Sequence, residues 1–181
     1  MPKILSAPVL FIPGVGNKVE EPSQYNLEEM DFMRGEETQV FGAIDLYEIP
    51  TPVTFIFLSS HTKLVDVDED QQIARSFTTL SGQIFDAFRF NTLLASSIPK
   101  TDPAFVNGEA LVRGVRAGMK NGILRAGLMV RFMDVLIDTT PEERFAFLEG
   151  LIIASDIHAI KNNYPFLRRH IVILGNSLRA K

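Results

Sequence analysis

The order of apolar segments along this 181-residue chain predicts a mixed α/β domain, a layered sandwich in which helices cover the faces of a sheet. Three consecutive segments have the pattern of strands, a block of helical patterns follows, and one more strand comes near the C-terminus. A chain of this length buries roughly 70% of its unfolded surface, so it can form a core without disulfides or metals.

The strands are predicted from short apolar runs that end in turn residues. The first run, residues 8–12, predicts a buried strand because a Pro-Gly pair closes it. Residues 14–32 are polar and irregular, which predicts a loop. Residues 53–58 are nearly all apolar, the pattern of a strand buried on both faces. Three more strands are expected at 63–67, 73–80 and 170–174.

The helices are predicted from apolar residues at a spacing of three and four. From Arg34 this spacing follows a pair of acids, which suit the positive end of a helix dipole, and Pro50 and Pro52 end the helix. Another helix is expected from Gly82 onward. The last helix begins with Thr-Pro-Glu-Glu, a capping residue followed by proline and acids. The three helices of the central block are expected at roughly 103–120, 123–137 and 141–162.

Composition excludes several classes of function. The net charge is -4, and no run rich in Lys and Arg is present, so we expect no nucleic-acid partner. The absence of cysteine excludes a disulfide scaffold, thiolate zinc sites, iron–sulfur clusters and a cysteine nucleophile. No run of about 18 apolar residues and no signal peptide is found, which predicts a soluble cytoplasmic domain without a membrane partner.

The segment Met33-Arg34-Gly35-Glu36-Glu37 carries the densest chemistry in the sequence. Arg34 can bind an anion, glycine lets a ligand approach the backbone, and Glu36 and Glu37 are candidate general bases or metal-binding carboxylates. The alternative is a solvated helix N-terminus, and the sequence alone favours that simpler interpretation.

The turn between the second and third predicted strands offers hydroxyls, an imidazole and an ammonium group within five residues. Ser59, Ser60, His61, Thr62 and Lys63 could therefore form a phosphate-binding turn, with Lys63 as a point charge. A plain polar hairpin turn explains the same residues.

Two further turns lead from a strand into a helix, the place where anions bind in many α/β proteins. Ser81, with Gly82 and Gln83, opens the helix after the third of the consecutive strands, although a simple capping role for Ser81 is the default interpretation. Gly175-Asn176-Ser177 follows the last strand and is typical of nucleotide contacts in open sheets. The acidic run Asp66-x-Asp68-x-Asp70 lacks the glycine and the final glutamate of a calcium loop, and we predict no protein metal site.

These segments together resemble the 2-dehydro-3-deoxygalactonokinase family of the sugar-kinase/actin-like ATPase superfamily. MRGEETQ is the most specific match. The resemblance implies a ribonuclease H-like (actin-like ATPase) lobe that phosphorylates 2-dehydro-3-deoxy-D-galactonate, a 2-keto-3-deoxy sugar acid, in galactonate catabolism, with ATP and Mg as cofactors. In the family's order, over about residues 9–178, the matching pieces are VLFIPG, MRGEETQVFGA, SSHTKLV, SFTTLSGQIF, LMVRFMDVLI, LEGLIIASDI and ILGNSL.

The resemblance also implies roles for individual residues. Glu36 would act as the general base, with Arg34 beside it as the second catalytic residue. The sugar acid would contact Glu37, Ser81 and Gln83. The phosphates and the nucleotide would contact Ser60, His61, Lys63, Gly175, Asn176 and Ser177.

The chain also departs from the family pattern. Leu58-Ser59 stands where the family has Pro-Gly, Leu64 replaces a Trp, and Gln83 replaces a Glu. No Asp-x-Gly-Thr-Thr phosphate loop precedes residue 8. We therefore expect residues 1–181 to form a single partial kinase lobe, without the phosphate-loop lobe and the last strand and helix.

Three interpretations follow from the sequence. The first is a kinase lobe whose partner is a complementing lobe or, as a homo-oligomer, a second copy, with negligible turnover of the isolated chain. The second is a degenerate, non-catalytic lobe that serves as a ligand-binding or interaction module. The third is a structural domain.

Overall fold

The computed structural model describes residues 3–4, 7–8, 12–163 and 170–175. Its strands are β1 (Lys3–Ile4), β2 (Ala7–Pro8), β3 (Val15–Gly16), β4 (Phe32–Met33), β5 (Val53–Leu58), β6 (Thr62–Val67), β7 (Ile73–Thr79) and β8 (His170–Leu174). Its α-helices are α1 (Glu36–Tyr47), α2 (Ser81–Asn91), α3 (Gly108–Val135) and α4 (Pro141–Asn163), and 3₁₀ turns lie at Leu27–Glu29 and Leu93–Ser96. The predicted mixed α/β class is confirmed.

The main sheet has the strand order β7-β6-β5-β8 within the described residues. The strands β5, β6 and β7 form an antiparallel meander, and β8 lies parallel to β5, with Val53 opposite His170 and Phe57 opposite Leu174. A parallel neighbour requires a crossover connection, and α2, α3 and α4 provide it. This arrangement is that of a ribonuclease H-like lobe, as predicted.

Two apolar clusters hold the elements together. The sheet core packs Val40 and Ile44 of α1 against Val53, Phe55 and other inward residues of β5 and β6. The helical core joins α2, α3 and α4, and includes the edge-to-face pair of Phe85 and Phe145, with ring centroids 5.1 Å apart. Side chains alternate along a strand, so α1 covers one face of the sheet while α4 reaches the other.

The predicted helices differ from the observed ones mainly at their ends. The break expected between residues 120 and 123 is present, because Gly122 has φ 70° and ψ 160° inside α3. The start of α3 lies five residues later than predicted, where the Asn107 side chain accepts a hydrogen bond from the Ala110 N–H at 3.0 Å. The helix predicted from Gly82 ends at Asn91, and a short 3₁₀ turn follows.

The N-terminal segment differs more from the prediction. Residues 14–32, predicted as a loop, include β3, which pairs with β4, and a short 3₁₀ turn. The strand predicted for 8–12 is not seen in that form, since Pro8 pairs with Lys3 in a short hairpin and Ile12 is 61% exposed outside any strand. Residues 9–11 of that segment lie outside the described part of the chain. Across the described helices, none is both long and apolar enough to cross a membrane.

Candidate functional site

A cavity of about 400 Å³ opens where the carboxyl ends of β5 and β8 meet the N-terminus of α1. Because β5 and β8 are parallel, their carboxyl ends lie at the same edge of the sheet, which is where α/β proteins bind ligands. The cavity brings together five of the predicted site residues, Arg34, Glu36, His61, Lys63 and Gly175, from three separate segments. Its lining is Arg34, Gly35, Glu36, Gln39, Phe57, Leu58, Ser59, His61, Lys63, Leu174 and Gly175.

The start of α1 gives the two neighbouring carboxylates different surroundings. Gly35 precedes the helix with φ 116°, a conformation that other residues rarely adopt. Glu37 is only 4% exposed, and its Oε2 accepts a hydrogen bond from the Gly35 N–H at 2.7 Å. Glu36 keeps a side chain that is 30% exposed, with Oε2 accepting from the Arg34 N–H at 3.2 Å. Glu37 therefore closes the helix N-terminus, whereas Glu36 lines the cavity.

Lys63 supplies a buried positive charge at the centre of the site. Its ammonium group donates a hydrogen bond to the Phe32 carbonyl at 2.6 Å and lies 3.9 Å from Glu36 Oε1. Its side chain is 6% exposed, so this charge is screened little by water. A negatively charged ligand that enters the cavity would meet this ammonium group together with the guanidinium of Arg34.

Hydrogen bonds connect the turn that ends at His61 to the start of α2. Ser60 Oγ lies 3.0 Å from His61 Nδ1, and the Gln83 side-chain nitrogen lies 3.2 Å from His61 Nε2. The Gln83 N–H also donates to the Ser60 carbonyl at 3.0 Å. The Ser60 hydroxyl and the Gln83 amide thus each contact one ring nitrogen of His61. Gln83 thus orients His61 and does not itself line the cavity.

The substitution of Ser59 for glycine does not strain this turn. The non-glycine residues with positive φ in the described chain are Glu48, Gln71 and Asp138, so Ser59 has an ordinary backbone conformation. Its N–H donates to the His61 carbonyl at 3.0 Å. The serine side chain therefore narrows the cavity without distorting the backbone.

The other predicted site residues lie in different places. Gly175 lines the cavity at the end of β8, and Asn176 and Ser177 lie outside the described residues. Ser81 is 6% exposed, and its hydroxyl donates a hydrogen bond to Asp156 of α4. Glu37, Ser81 and Gln83, the three residues predicted to contact the sugar acid, are absent from the cavity lining.

A second cavity of about 430 Å³ adjoins the first and shares Arg34, Glu36, His61 and Lys63 with it. The residues that belong to the second cavity alone are Asp31, Phe32, Met33, Thr78 and Leu80. Four groups that can hold or neutralise charge therefore lie between two adjoining spaces, each large enough for a small ligand.

Asn17 positions the segment that leads into the site, and sequence reasoning missed it. Its side-chain nitrogen donates to the Ser76 carbonyl at 2.9 Å, and its Oδ1 accepts from the Ser76 N–H at 2.8 Å, so it pairs with the outer edge of β7 as a strand would. Its own N–H donates to the Asp31 carbonyl at 2.9 Å. No local pattern marks this residue, because its partner is 59 residues away.

Comparisons with known proteins agree with this architecture. The sequence model of the 2-keto-3-deoxy-galactonokinase family matches residues 3–180. A solved structure of a protein from Sinorhizobium meliloti, described as a 2-dehydro-3-deoxygalactonokinase, superposes with a TM-score of 0.73 over 93% of this chain and 53% of its own. The two sequences are 22% identical, so this likeness shows the fold.

Two curated relatives carry the same name. The 2-dehydro-3-deoxygalactonokinase of Escherichia coli K12 is 26% identical over 150 residues, which are 82% of this chain and 49% of the relative. A Rhizobium meliloti 1021 protein assigned the same activity is 27% identical over 138 residues, which are 75% of this chain and 44% of the relative. The chain thus spans about half the length of the curated relatives it matches.

Proposed function

Since this chain belongs to the 2-keto-3-deoxy-galactonokinase family, we propose that it is the lobe of a sugar-acid kinase that carries the catalytic carboxylate. The proposed substrate is 2-dehydro-3-deoxy-D-galactonate, the phosphoryl donor is ATP, and the reaction belongs to galactonate catabolism. The proposal rests on the family match and on one observation, the placement of Glu36, Lys63, His61 and Arg34 between two adjoining cavities.

Two adjoining cavities suit the transfer of a phosphoryl group from one bound ligand to another. The cavity with Ser59 and Gly175 would take the nucleotide phosphates, because these two residues follow the carboxyl ends of the parallel strands β5 and β8, where α/β sheets bind nucleotides. The cavity with Asp31 and Thr78 would take the sugar acid, whose hydroxyls need acceptors and donors. Glu36 lies on the border of the two.

In the proposed step, the oxygen of the sugar hydroxyl attacks the γ-phosphorus, and the bond from that phosphorus to ADP breaks. Glu36 accepts the proton of the attacking hydroxyl. Phosphoryl transfer depends mainly on positioning and on neutralising charge. The Arg34 N–H holds one oxygen of Glu36, and Lys63 faces the other at 3.9 Å. Lys63 and Arg34 would stabilise the negative charge on the transferred group.

A magnesium ion would enter with the nucleotide. The described residues contain no group of three or more metal-binding side chains. Mg²⁺ is usually held by substrate phosphates and one or two carboxylates. Glu36 is the carboxylate that lines both cavities, and when bound the ion would neutralise phosphate charge.

We also propose that the site works with a second lobe, either a complementing kinase lobe or another copy of the chain. The cavity is open at the sheet edge, and transfer to a sugar in place of water requires that solvent be excluded. Measured turnover by the 181-residue chain alone would contradict this part of the proposal.

The proposed function is tested by a thermal-shift titration of the 181-residue chain with MgATP, 2-dehydro-3-deoxygalactonate and its gluconate epimer. Binding at 100 times Kd stabilises the folded state by about 2.7 kcal/mol. For a chain of this size, that raises the Tm by about 5–10 °C. We expect such shifts with MgATP and with the sugar acid. No shift with any of the three would favour the degenerate lobe or the structural domain.

Matched variants locate the binding. Arg34→Gln should reduce the shift with MgATP, while Arg116→Gln, which changes an exposed arginine on α3, should leave it unchanged. Equal shifts in both variants would remove Arg34 from the site. In any assay with turnover, Glu36→Gln should lower kcat about 100-fold or more, because a general base acts in the transition state.

A further inference from the structure

Asp156 of α4 is a buried carboxylate that binds three hydroxyl groups from three other places in the fold. It is 8% exposed. Its Oδ2 accepts a hydrogen bond from Thr62 Oγ1 at 2.8 Å, and its Oδ1 accepts from Thr79 Oγ1 at 2.7 Å and from Ser81 Oγ. These hydroxyls stand at the start of β6, the end of β7 and the start of α2. The carboxylate therefore joins α4 to the edge of the sheet.

An apolar residue at position 156 would leave these three hydroxyls without this acceptor, and two of them, on Thr62 and Ser81, are buried. The carboxylate borders a groove of about 470 Å³ between α2, α3 and α4, whose lining is almost entirely apolar. Burying a carboxylate costs free energy unless its oxygens are hydrogen-bonded. Among the described residues, the three hydroxyls supply that compensation. The geometry of the three hydroxyls, and not packing, therefore accounts for an acid at this position.

Two of the three hydroxyls belong to residues that lie close in sequence to His61 and Gln83. Thr62 follows His61, and because strand side chains alternate, Thr62 points to α4 while Lys63 points to the cavity. Ser81 begins α2 two residues before Gln83, which contacts both Ser60 and His61. Asp156 thus binds Thr62, the residue next to His61, and Ser81, two residues before Gln83.

We propose that Asp156 is a positioning residue that sets the orientation of His61 at the site, acting through Thr62 and Ser81 without contact to substrate. It lies outside the lining of both site cavities. The consequence for kinase chemistry rests on the proposed function, whereas the effect on His61 does not.

The test uses NMR of the histidine side chains in the unliganded chain, which has three histidines, with the His61 signals assigned by His61→Gln. In Asp156→Ala, the three hydroxyls lose their acceptor, so we expect the His61 signals to move toward those of a free histidine. The Gln83 N–H should also exchange with solvent at least tenfold faster. In Asp156→Asn, one oxygen remains for Thr79 and Ser81, and the new amide can donate to Thr62, so we expect signals close to those of the parent.

A matched control separates positioning from a general effect of removing charge. Asp86→Asn changes an exposed carboxylate on α2, the same helix that carries Gln83, and should leave both readouts unchanged. If Asp156→Ala fails to fold, Ser81→Ala provides the same test, since it removes the hydroxyl that joins Asp156 to α2 while Thr62 and Thr79 remain. Unchanged His61 signals and Gln83 exchange in a folded Asp156→Ala or Ser81→Ala would overturn the proposal.

Ligand titration of the same proteins separates the two proposals. If the parent binds MgATP, Asp156→Ala should bind it at least tenfold more weakly, and Asp156→Asn should restore most of the affinity. Equal affinity in parent and Asp156→Ala would reject positioning at the site. Absence of binding in the parent would reject the proposed function, while the NMR result would still decide whether Asp156 orients His61.

Discussion

At the scale of single residues, Glu36 and Glu37 show how two identical side chains acquire different roles from their surroundings. The buried carboxylate of Glu37 accepts a hydrogen bond from the Gly35 N–H at the start of α1, whereas Glu36 lines both site cavities. From the sequence, either acid is a candidate base. Helix geometry separates them, because consecutive side chains on a helix point about 100° apart and one of the two therefore faces the cavity.

Asp134 makes the stability of the folded protein depend on pH. A hydrogen bond from the Ser97 hydroxyl, and the guanidinium groups of Arg144 and Arg131, lower the pKa of Asp134 in the folded protein against the opposing effect of burial. The Ser97 oxygen lies 2.7 Å from Asp134 Oδ2. Since the folded pKa lies below the unfolded one, this stabilisation is complete above the unfolded pKa and is lost as the pH falls through the folded pKa.

We therefore expect Asp134→Asn to be less stable than the parent near neutral pH and to approach it as the pH falls below the usual titration range of aspartate. Urea denaturation at a series of pH values measures this difference. Ser97→Ala should show a smaller change in the same direction. If Asp134→Asn loses stability with acid as steeply as the parent, the lowered pKa does not contribute.

At the scale of elements, the contact between α3 and α4 depends on glycine. A Cβ atom on Gly114 would meet the Phe147 carbonyl, and one on Gly150 would lie 2.7 Å from the Val115 backbone nitrogen. Small residues at a crossing allow two helices to approach closely. The helices α3 and α4 both contribute side chains to the helical core. The long helices are thus held at a distance that no other residue type permits.

Substitution of these glycines should be costly. Gly114→Ala and Gly150→Ala are each expected to lower the free energy of unfolding by about 1–3 kcal/mol or more, because backbone atoms must move. Gly42→Ala on the exposed side of α1 meets no atom within 4 Å and should stabilise the protein by about 0.5–1 kcal/mol. Chemical denaturation measures all three. Equal stability of Gly114→Ala and Gly42→Ala would contradict the close crossing.

At the scale of the whole molecule, the sheet core and the helical core belong to different layers, and Asp156 with Thr62 joins them. We expect one cooperative unit, because the helices α2, α3 and α4 form the crossover between β7 and β8 and cannot detach without opening the sheet. This expectation agrees with the single lobe predicted for residues 1–181.

One substitution in each core tests this expectation. Phe55→Ala in the sheet core and Leu148→Ala in the helical core each remove a fully buried side chain. We expect losses of about 3–5 and 2–5 kcal/mol, respectively. By calorimetry, both variants should keep one transition at a lower Tm. Two separate transitions in either variant would show that the cores unfold independently.

The sequence by itself determined the elements whose signal is local. The run VTFIFL predicted β5, the Thr-Pro-Glu-Glu start predicted α4, and the break near Gly122 followed from the change of pattern. The segment MRGEETQ pointed to the family. These inferences succeed because spacing, caps and short motifs act over a few residues, which is the range that a sequence displays directly.

Only the tertiary structure decided which residues meet. The pairing of β8 with β5 brings Gly175 to the cavity, Asn17 reaches Ser76 across 59 positions, and Asp156 reaches Thr62 across 94. A polar side chain has the same local pattern whether it faces water or a distant hydroxyl. Its role depends on contacts that form when the chain folds, and for this reason Ser81, a candidate ligand contact in the sequence, lies in a buried cluster with Asp156.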